Sequence, residues 1–423
     1  MNIQEFLQKY SFSSQFDMMT MANIFIGEME RGLDGKAKSL KMIPTYISNG
    51  NNPKYDEECV IVDAGGSNLR VANAHFTLNG CEISNFKSCR MPGVDKQMSS
   101  DEFYGAIANF MKEALINGRN IGFCFSYPVV MDKSVDGKLI AFTKEVKVPT
   151  AIGKKVGECT LKAIGKFDDK DRRIVILNDS VATLLGGRGL NLDKSFDSYI
   201  GFIYGTGVNA CYIEESKNIG KINDSVEDTM IINIESGNFD KFPRSEFDKK
   251  VMNSTVTGED YAFEKMAAGR YISEIICEAV LQASRDGVIS TSLSKDSFKF
   301  INTRIISDFL ISIENDNNKL ANILKTYNDR LTVAIIANAV IERAARMCVI
   351  MLSAIILKTN KGINAPVAIV AEGTTFNKLY GFRQAFDAIM DEFLVKTLHR
   401  NYVVIQGDGL NNVGSALAIL SRK

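Results

Sequence analysis

Two short stretches carry the residues best suited to grip a phosphate chain. Residues 199–215 read as strand, tight turn, strand, with Gly205-Thr206-Gly207 at the turn. Glycines there take positive φ and carry no Cβ, so backbone N–H groups can approach an anion. Residues 60–76 repeat the device, with Gly65-Gly66-Ser67-Asn68 between an apolar run and an alternating one. Two Gly-Ser/Thr turns in one chain read as an internal duplication that holds a polyphosphate from opposite sides. Residues 205–210 formally match a GxGxxA dinucleotide fingerprint. That fingerprint needs a helix after the turn, whereas Val208, Cys211, Tyr212 and Ile213 continue as strand. Taken alone, the segment also reads as an ordinary hairpin without a ligand.

Acidic and amide side chains stand at the ends of the apolar strands. Asp63 follows strand 60–62 beside the first turn. It can hold a metal through water or accept N–H bonds as a turn aspartate. Arg70 is either a phosphate contact or an edge-strand charge. Strand 121–125 leads into Ser126-Tyr127-Pro128, then into 137–143 with Lys144, polar groups that suit a polyhydroxy ligand or a solvated loop. Strand 174–177 ends in Asn178-Asp179, and a helix begins at once. Asp179 is placed to cap that helix or to act as a general base in a crevice at the strand end; its local sequence favours the cap. Strand 231–235 ends in Glu235, and Glu259, Asp260 and Glu264 surround the start of a helix over 261–282. Strand 367–370 runs into Glu372-Gly373-Thr374-Thr375, and strand 403–406 into Gly407-Asp408-Gly409. Ligands of open α/β sheets bind at the carboxyl ends of strands, so these clusters are expected to share one cleft.

The elements that must position these groups are those of a chain with two or three domains, at about 100–200 residues each. Helical patterns cover 1–32, 100–117, 331–358 and 413–420, and 286–328 is helical without assignable chemistry. Residues 39–48 read as extended, and 49–58 as a polar loop at a domain boundary. Fifty basic residues balance fifty acidic ones, which speaks against a general affinity for nucleic acid or acidic lipid. Eight scattered cysteines without a CxxC pair indicate neither a zinc knuckle nor a disulfide framework. With only two histidines, a His-based metal site or a Ser–His–Asp triad is disfavoured. The N-terminal residues lack an apolar signal segment, and the longest apolar run, 347–357, is too short to span a bilayer. A soluble, cytoplasmic protein is expected, with no nucleic-acid or membrane partner; oligomeric state is not legible.

From about residue 16 to 420 the chain resembles the hexokinases in an ordered series. FIGEMERGL and SLKMIPTYIS are similar to the entry segment, and DAGGSNLRV to the first phosphate motif. FCFSYP and FTKEV resemble the sugar loop, LNDSVATLLGG the catalytic-aspartate segment, and GTGVNACYIE the second phosphate motif. NIESGNF, YAFEKMAAGRYISEI, VIERAARMCVIML and VAEGTTFNKLYGF follow in family order. The resemblance implies an α/β fold of two actin-like, ribonuclease H-like lobes around a central cleft. Each lobe is a mixed, mostly parallel sheet with flanking helices. The small lobe would comprise 59–180 plus 410–423, the large lobe 1–58 plus 181–409. It implies ATP-dependent transfer of a γ-phosphoryl group to the 6-hydroxyl of glucose, with Mg²⁺, and closure of the lobes around sugar. Asp179 would be the base, with Lys144 beside it. Ser126, Thr143, Lys144, Asn178, Asn209, Glu235 and Glu264 would hold the sugar hydroxyls. Asp63, Gly66, Ser67, Asn68, Arg70 and Thr206 would surround the phosphates, with Asp63 holding the metal through water. Gly373, Thr374 and Gly414 would flank the nucleoside.

The chain departs from the family pattern at several positions. Ser67 stands for the usual Thr, Leu69 for Phe, Ser236 for Trp and Glu372 for Asp, and the last glycine-rich segment is one residue longer. These changes bear on the adenine contacts and on the choice of phosphoryl donor, not on the base. The alternative reading is a hexokinase-like sugar sensor with little turnover. An actin-like chaperone or filament ATPase fits less well with the sugar-binding series.

Overall fold

The computed structural model describes residues 1–10, 16–48, 51–142, 146–222 and 227–422. Thr143 and Lys144 lie outside the described residues. Extended segments are laid down as β1 (Ile43–Pro44), β2 (Glu58–Gly65), β3 (Asn68–Thr77), β4 (Gly80–Arg90), β5 (Asn120–Phe125), β6 (Val129–Met131), β7 (Gly137–Leu139) and β8 (Ile174–Leu177). After them come β9 (Ser198–Tyr204), β10 (Val208–Glu215), β11 (Thr229–Asn233), β12 (Val367–Glu372) and β13 (Tyr402–Ile405).

These strands build one topology twice. In the five-stranded sheet, ordered β4-β3-β2-β5-β8, an antiparallel meander begins at β2, and β5 and β8 add in parallel. In the six-stranded sheet, ordered β1-β11-β10-β9-β12-β13, a meander begins at β9, and β12 and β13 add in parallel. The extra strand β1 pairs antiparallel to β11 at the edge, where Pro44 removes no central ladder bond. Both phosphate-type turns sit at the same place in their sheets, between the first and second strands. Residues buried on both faces of β2, β5 and β12 explain their unbroken apolar runs.

The two sheets are joined by exchanged helices. Helix Asp179–Gly189 follows β8 of the five-stranded sheet yet packs on β9, β10 and β12. Helix Leu410–Leu420 follows β13 of the six-stranded sheet yet packs on β2 and β5. The helices cross where both are small. A Cβ on Gly414 would lie 1.8 Å from the Ala182 carbonyl oxygen, and one on Gly186 2.1 Å from that of Leu410. One apolar cluster, with Ile61, Val175, Leu184, Val370, Val413 and Leu417, fills this middle layer. Helices Ser100–Met111 and Val156–Ile164 cover the outer face of the five-stranded sheet. The 32-residue helix Tyr327–Lys358 lies in the larger core outside the six-stranded sheet. There Arg343 and Asp248, both buried, form a two-bond pair at 2.7 and 2.6 Å.

Several boundaries differ from the sequence expectation. The segment 1–32 forms two helices, Ile3–Lys9 and Met18–Leu33, and within 39–48 only Ile43–Pro44 pairs as strand. The segment 100–117 is split into Ser100–Met111 and Ala114–Asn117. The helix expected over 261–282 breaks into Ala262–Ala267 and Gly269–Arg285, because Ala268 is extended. That break frees the Gly269 amide, which donates to the Gly205 carbonyl at 2.9 Å. Among the described residues no helix is long and apolar enough to cross a membrane.

Candidate active site

The carboxyl ends of β2, β8 and β12 bring three acidic side chains into one region. Asp63 is buried and pairs with Arg70, its cross-strand neighbour on β3, at 2.7 Å. Asp179 sits in the first turn of its helix. The cap is Asn178, whose Oδ1 accepts from the Ser180 amide at 2.9 Å. The expectation that Asp179 itself caps is thereby corrected. Glu372 ends β12; Thr183 Oγ1 donates to it at 3.0 Å. With its amide nitrogen turned toward them, Asn411 donates to Thr183 Oγ1 at 3.0 Å, Glu372 Oε2 at 3.2 Å and the Asp179 carbonyl at 3.3 Å. Burial raises the Glu372 carboxyl above its usual range, opposed by the Thr183 hydroxyl and aided by the charges of Asp179 and Asp63. The fully buried Cys124, paired across β5 with Asp63 on one side and Leu177 on the other, has its thiol pushed well up by burial first and then by Asp63, Asp179 and Glu372.

A second group lies beside it on the six-stranded sheet. Asn209 Nδ2 donates to Asn233 Oδ1 at 2.9 Å, and Asn233 Nδ2 to Glu235 Oε1 at 2.7 Å. Asn209 Oδ1 accepts from the amides of Ala210 and Ser236, at 2.8 and 3.1 Å. Glu235 is held at φ 57°, a left-handed conformation that non-glycine residues avoid and that clusters at functional sites. Burial raises its carboxyl, and the nearby charge of Asp179 raises it further, while Asn233 opposes. Glu235, Asn233 and Thr45 from this sheet share a cavity of about 20 Å³ with Asn178, Tyr127 and Pro128 from the other, room for about one water. Glu264 lies behind the second turn. A Cβ on Gly207 would meet its Oε2 at 2.5 Å, so only glycine leaves room for that carboxylate. Burial pushes Glu264 up to about 7, against the Val208 amide that stabilises its charge.

Both glycine turns are held from behind. The Tyr127 hydroxyl donates to the Gly66 carbonyl at 3.0 Å. The Gly205 carbonyl accepts from Thr375 Oγ1 at 2.8 Å as well as from Gly269. Ser67, Asn68 and Thr206 are exposed at the turn tips. Gly373, at φ 132°, lies so close to the Tyr204 carbonyl that a Cβ would approach it to 2.2 Å, and this seats Gly373-Thr374 against the second turn. Ser126 follows β5, its amide bonded to the Ala64 carbonyl at 3.2 Å.

Asp63, Arg70, Asn178, Asp179, Asn209, Glu235, Glu264 and the two turns thus line one region. Gly414 does not: it is buried in the helix crossing, and its lack of a side chain serves packing there. Thr143 and Lys144 fall outside the described residues. Sequence reasoning missed Thr183 and Asn233. The first stands one helical turn after Asp179, and the second ends β11 two residues before Glu235, so closeness in sequence pointed to both. Among the described residues no group of three or more His, Cys, Asp or Glu is placed to hold a metal. Mg²⁺ is usually bound through one or two carboxylates with substrate phosphates, and Asp63 beside the first turn has the chemistry for that mode.

Comparison with known proteins points one way. Two hexokinase family models match, over residues 2–188 and 199–421. Hexokinase-7 of Oryza sativa subsp. japonica is 28% identical, covering 94% of this chain and 92% of its own. Hexokinase-2 of Saccharomyces cerevisiae is 27% identical, covering 94% and 88%. Among solved structures, the hexokinase of Schistosoma mansoni complexed with glucose superposes with a TM-score of 0.81 over 98% of both chains, at 21% identity.

Proposed function

The chain belongs to the hexokinase family and is a hexose kinase; we propose that it moves the γ-phosphoryl group of ATP to the 6-hydroxyl of glucose, with Asp179 as general base. The observation that carries this reading is the gathering of Asp63 at the end of β2, Asp179 just after β8 and Glu372 at the end of β12, with Asn411 bonding both Glu372 and the Asp179 carbonyl. Glu235, Glu264, Asn178, Asn209 and Ser126 hold the sugar hydroxyls, together with Thr143 and Lys144. Carboxylates and amides that each bond a hydroxyl discriminate strongly against analogues lacking one. Gly66, Ser67, Asn68 and Thr206 bind the phosphates through N–H and hydroxyl groups, and Arg70 adds positive charge. Gly373 and Thr374 flank the nucleoside. Asp63 would hold Mg²⁺ through water, and the ion would neutralise charge on the phosphates.

Phosphoryl transfer demands positioning and charge stabilisation more than covalent help from the protein. Asp179 accepts the proton of the attacking hydroxyl, which contributes about 10²–10⁴-fold. The rest comes from alignment as the two sheets close on the sugar and exclude water, the competing nucleophile. We place the reaction in the cytoplasm, since all eight cysteines are free thiols. A coupled assay with glucose, ATP and Mg²⁺ tests the reading: hexose 6-phosphate should accumulate. Glucose-dependent thermal stabilisation without product would instead identify a sugar sensor.

Glu264 makes sugar binding depend on pH. Sugar hydroxyls donate to the ionised carboxylate and favour its charged form. Hexose binding should therefore release protons near the raised value of about 7, and affinity should rise from about pH 6 to about pH 8. Calorimetry in two buffers of different ionisation heat gives the proton count, and a count of zero would remove Glu264 from the sugar site. For the unliganded protein the sign is opposite. A carboxyl raised by folding stabilises at low pH, and that contribution is lost as pH rises through about 7.

A further inference from the structure

A basic cavity lies away from the cleft, on the outer side of the five-stranded sheet. Helix Val156–Ile164 packs against helix Ser100–Met111, and beside this contact opens a cavity of about 470 Å³. Small-molecule sites commonly span about 300–1,000 Å³. Lys162 faces it from the helix, Lys155 stands at the helix N-cap and Lys166 just past its C-cap, and Lys138 of β7 and Lys154 line it as well. Five lysines thus meet two carboxylates, Asp101 and Glu158. Lys155 is paired with Asp132 at 2.6 Å. Lys138, Lys154, Lys162 and Lys166 have no ion pair among the described residues. Like charges gathered around a concave surface raise the local concentration of an anion.

The cavity also contains a buried donor without a partner. Tyr104 is 1% exposed and lines it, and its hydroxyl has no hydrogen-bond partner among the described residues. Buried polar groups nearly always have one. Burial keeps the phenol well above its usual range, so it remains a neutral O–H donor. None of these groups belongs to the hexose or nucleotide machinery described above.

We propose that this cavity binds a phosphorylated small molecule, with its phosphate oxygens among the four unpaired lysines and the Tyr104 hydroxyl donating to it. Asp101 and Glu158 are suited to accept hydroxyls of its organic part. The site is separate from the cleft and stands whether or not the catalytic reading above does.

Inorganic pyrophosphate is the probe, titrated calorimetrically at fixed ionic strength into enzyme with ADP and glucose present to fill the cleft. One saturable site should appear, with Kd below about 1 mM. Lys162→Glu and Lys154→Glu should each weaken it about tenfold or more, since charge-assisted bonds to phosphate are lost. Tyr104→Phe should weaken it about threefold at unchanged melting temperature. Lys319→Glu, in the other half of the molecule, should leave it unaltered, and hexose turnover should be the same in all four variants. The proposal is overturned if no saturable binding occurs below about 10 mM, or if Lys162→Glu binds pyrophosphate as well as the parent.

Discussion

Asp179→Ala should lower kcat for hexose phosphorylation by about 10²–10⁴-fold while hexose binding stays measurable. The three acidic groups of the region are not equivalent. Asp63 is paired with Arg70 at 2.7 Å, and Glu372 accepts from Thr183 and Asn411. Each is thereby held in place by side-chain partners. Asp179 stands at the start of a helix capped by Asn178, and its Oδ1 also accepts from the Ser180 amide, at 2.8 Å. It lies within electrostatic reach of Glu235 on the other sheet. Losing a base removes an interaction made in the transition state and leaves ground-state binding largely intact. The measurement is kcat beside the glucose-induced shift in melting temperature. A variant with parental kcat would remove Asp179 from the base role, and one that loses binding entirely would make it a sugar ligand instead.

Gly414→Val should destabilise the protein by about 3 kcal/mol or more, and should depress turnover as well. A Cβ at 414 would stand 1.8 Å from the Ala182 carbonyl oxygen. That atom belongs to a helix backbone and cannot swing aside as a side-chain end would. The two helices must separate, and each is packed on the sheet that the other's strands come from. Asp179 opens one of these helices and Asn411 lies in the first turn of the other. Separation therefore disturbs the Asn411–Thr183–Glu372 bonds as well as the core. Gly105→Ala is the contrast. Nothing lies within 4 Å of a Cβ there, and alanine favours the helix that contains it by about 0.5–1 kcal/mol. Urea midpoints for the two variants decide the matter: equal stability of Gly414→Val and its parent would refute the account of the crossing.

Much of the fold could be read from local pattern. The apolar runs of β2, β5 and β12 and the alternation of β3 and β10 are properties of each strand's own sequence. So were the two turns, because glycine flanked by strands has few other uses. The repeated turn anticipated the repeated sheet. What could not be read was set by partners distant in sequence. The break at Ala268 goes with the bond from Gly269 to Gly205, some sixty residues away, and helical propensity carries no trace of that partner. Gly414 looks like a ligand glycine in sequence and is a packing glycine in space, since its neighbour Ala182 lies on another element. Glu264 was placed in the sugar set by resemblance; its position behind Gly207 depends on how a short helix docks on the second turn. The Asn178 cap was obscured because Asn and Asp, adjacent in sequence, are both good caps.

The measurement that bears most directly on the catalytic account is a crystal structure with glucose and a non-hydrolysable ATP analogue bound together. The account predicts the glucose 6-hydroxyl within hydrogen-bond reach of the Asp179 carboxylate, about 2.6–3.2 Å, with the terminal phosphate between Ser67 and Thr206. An Asp179 carboxylate turned away from the sugar, or phosphates bound by only one of the two glycine turns, would contradict it.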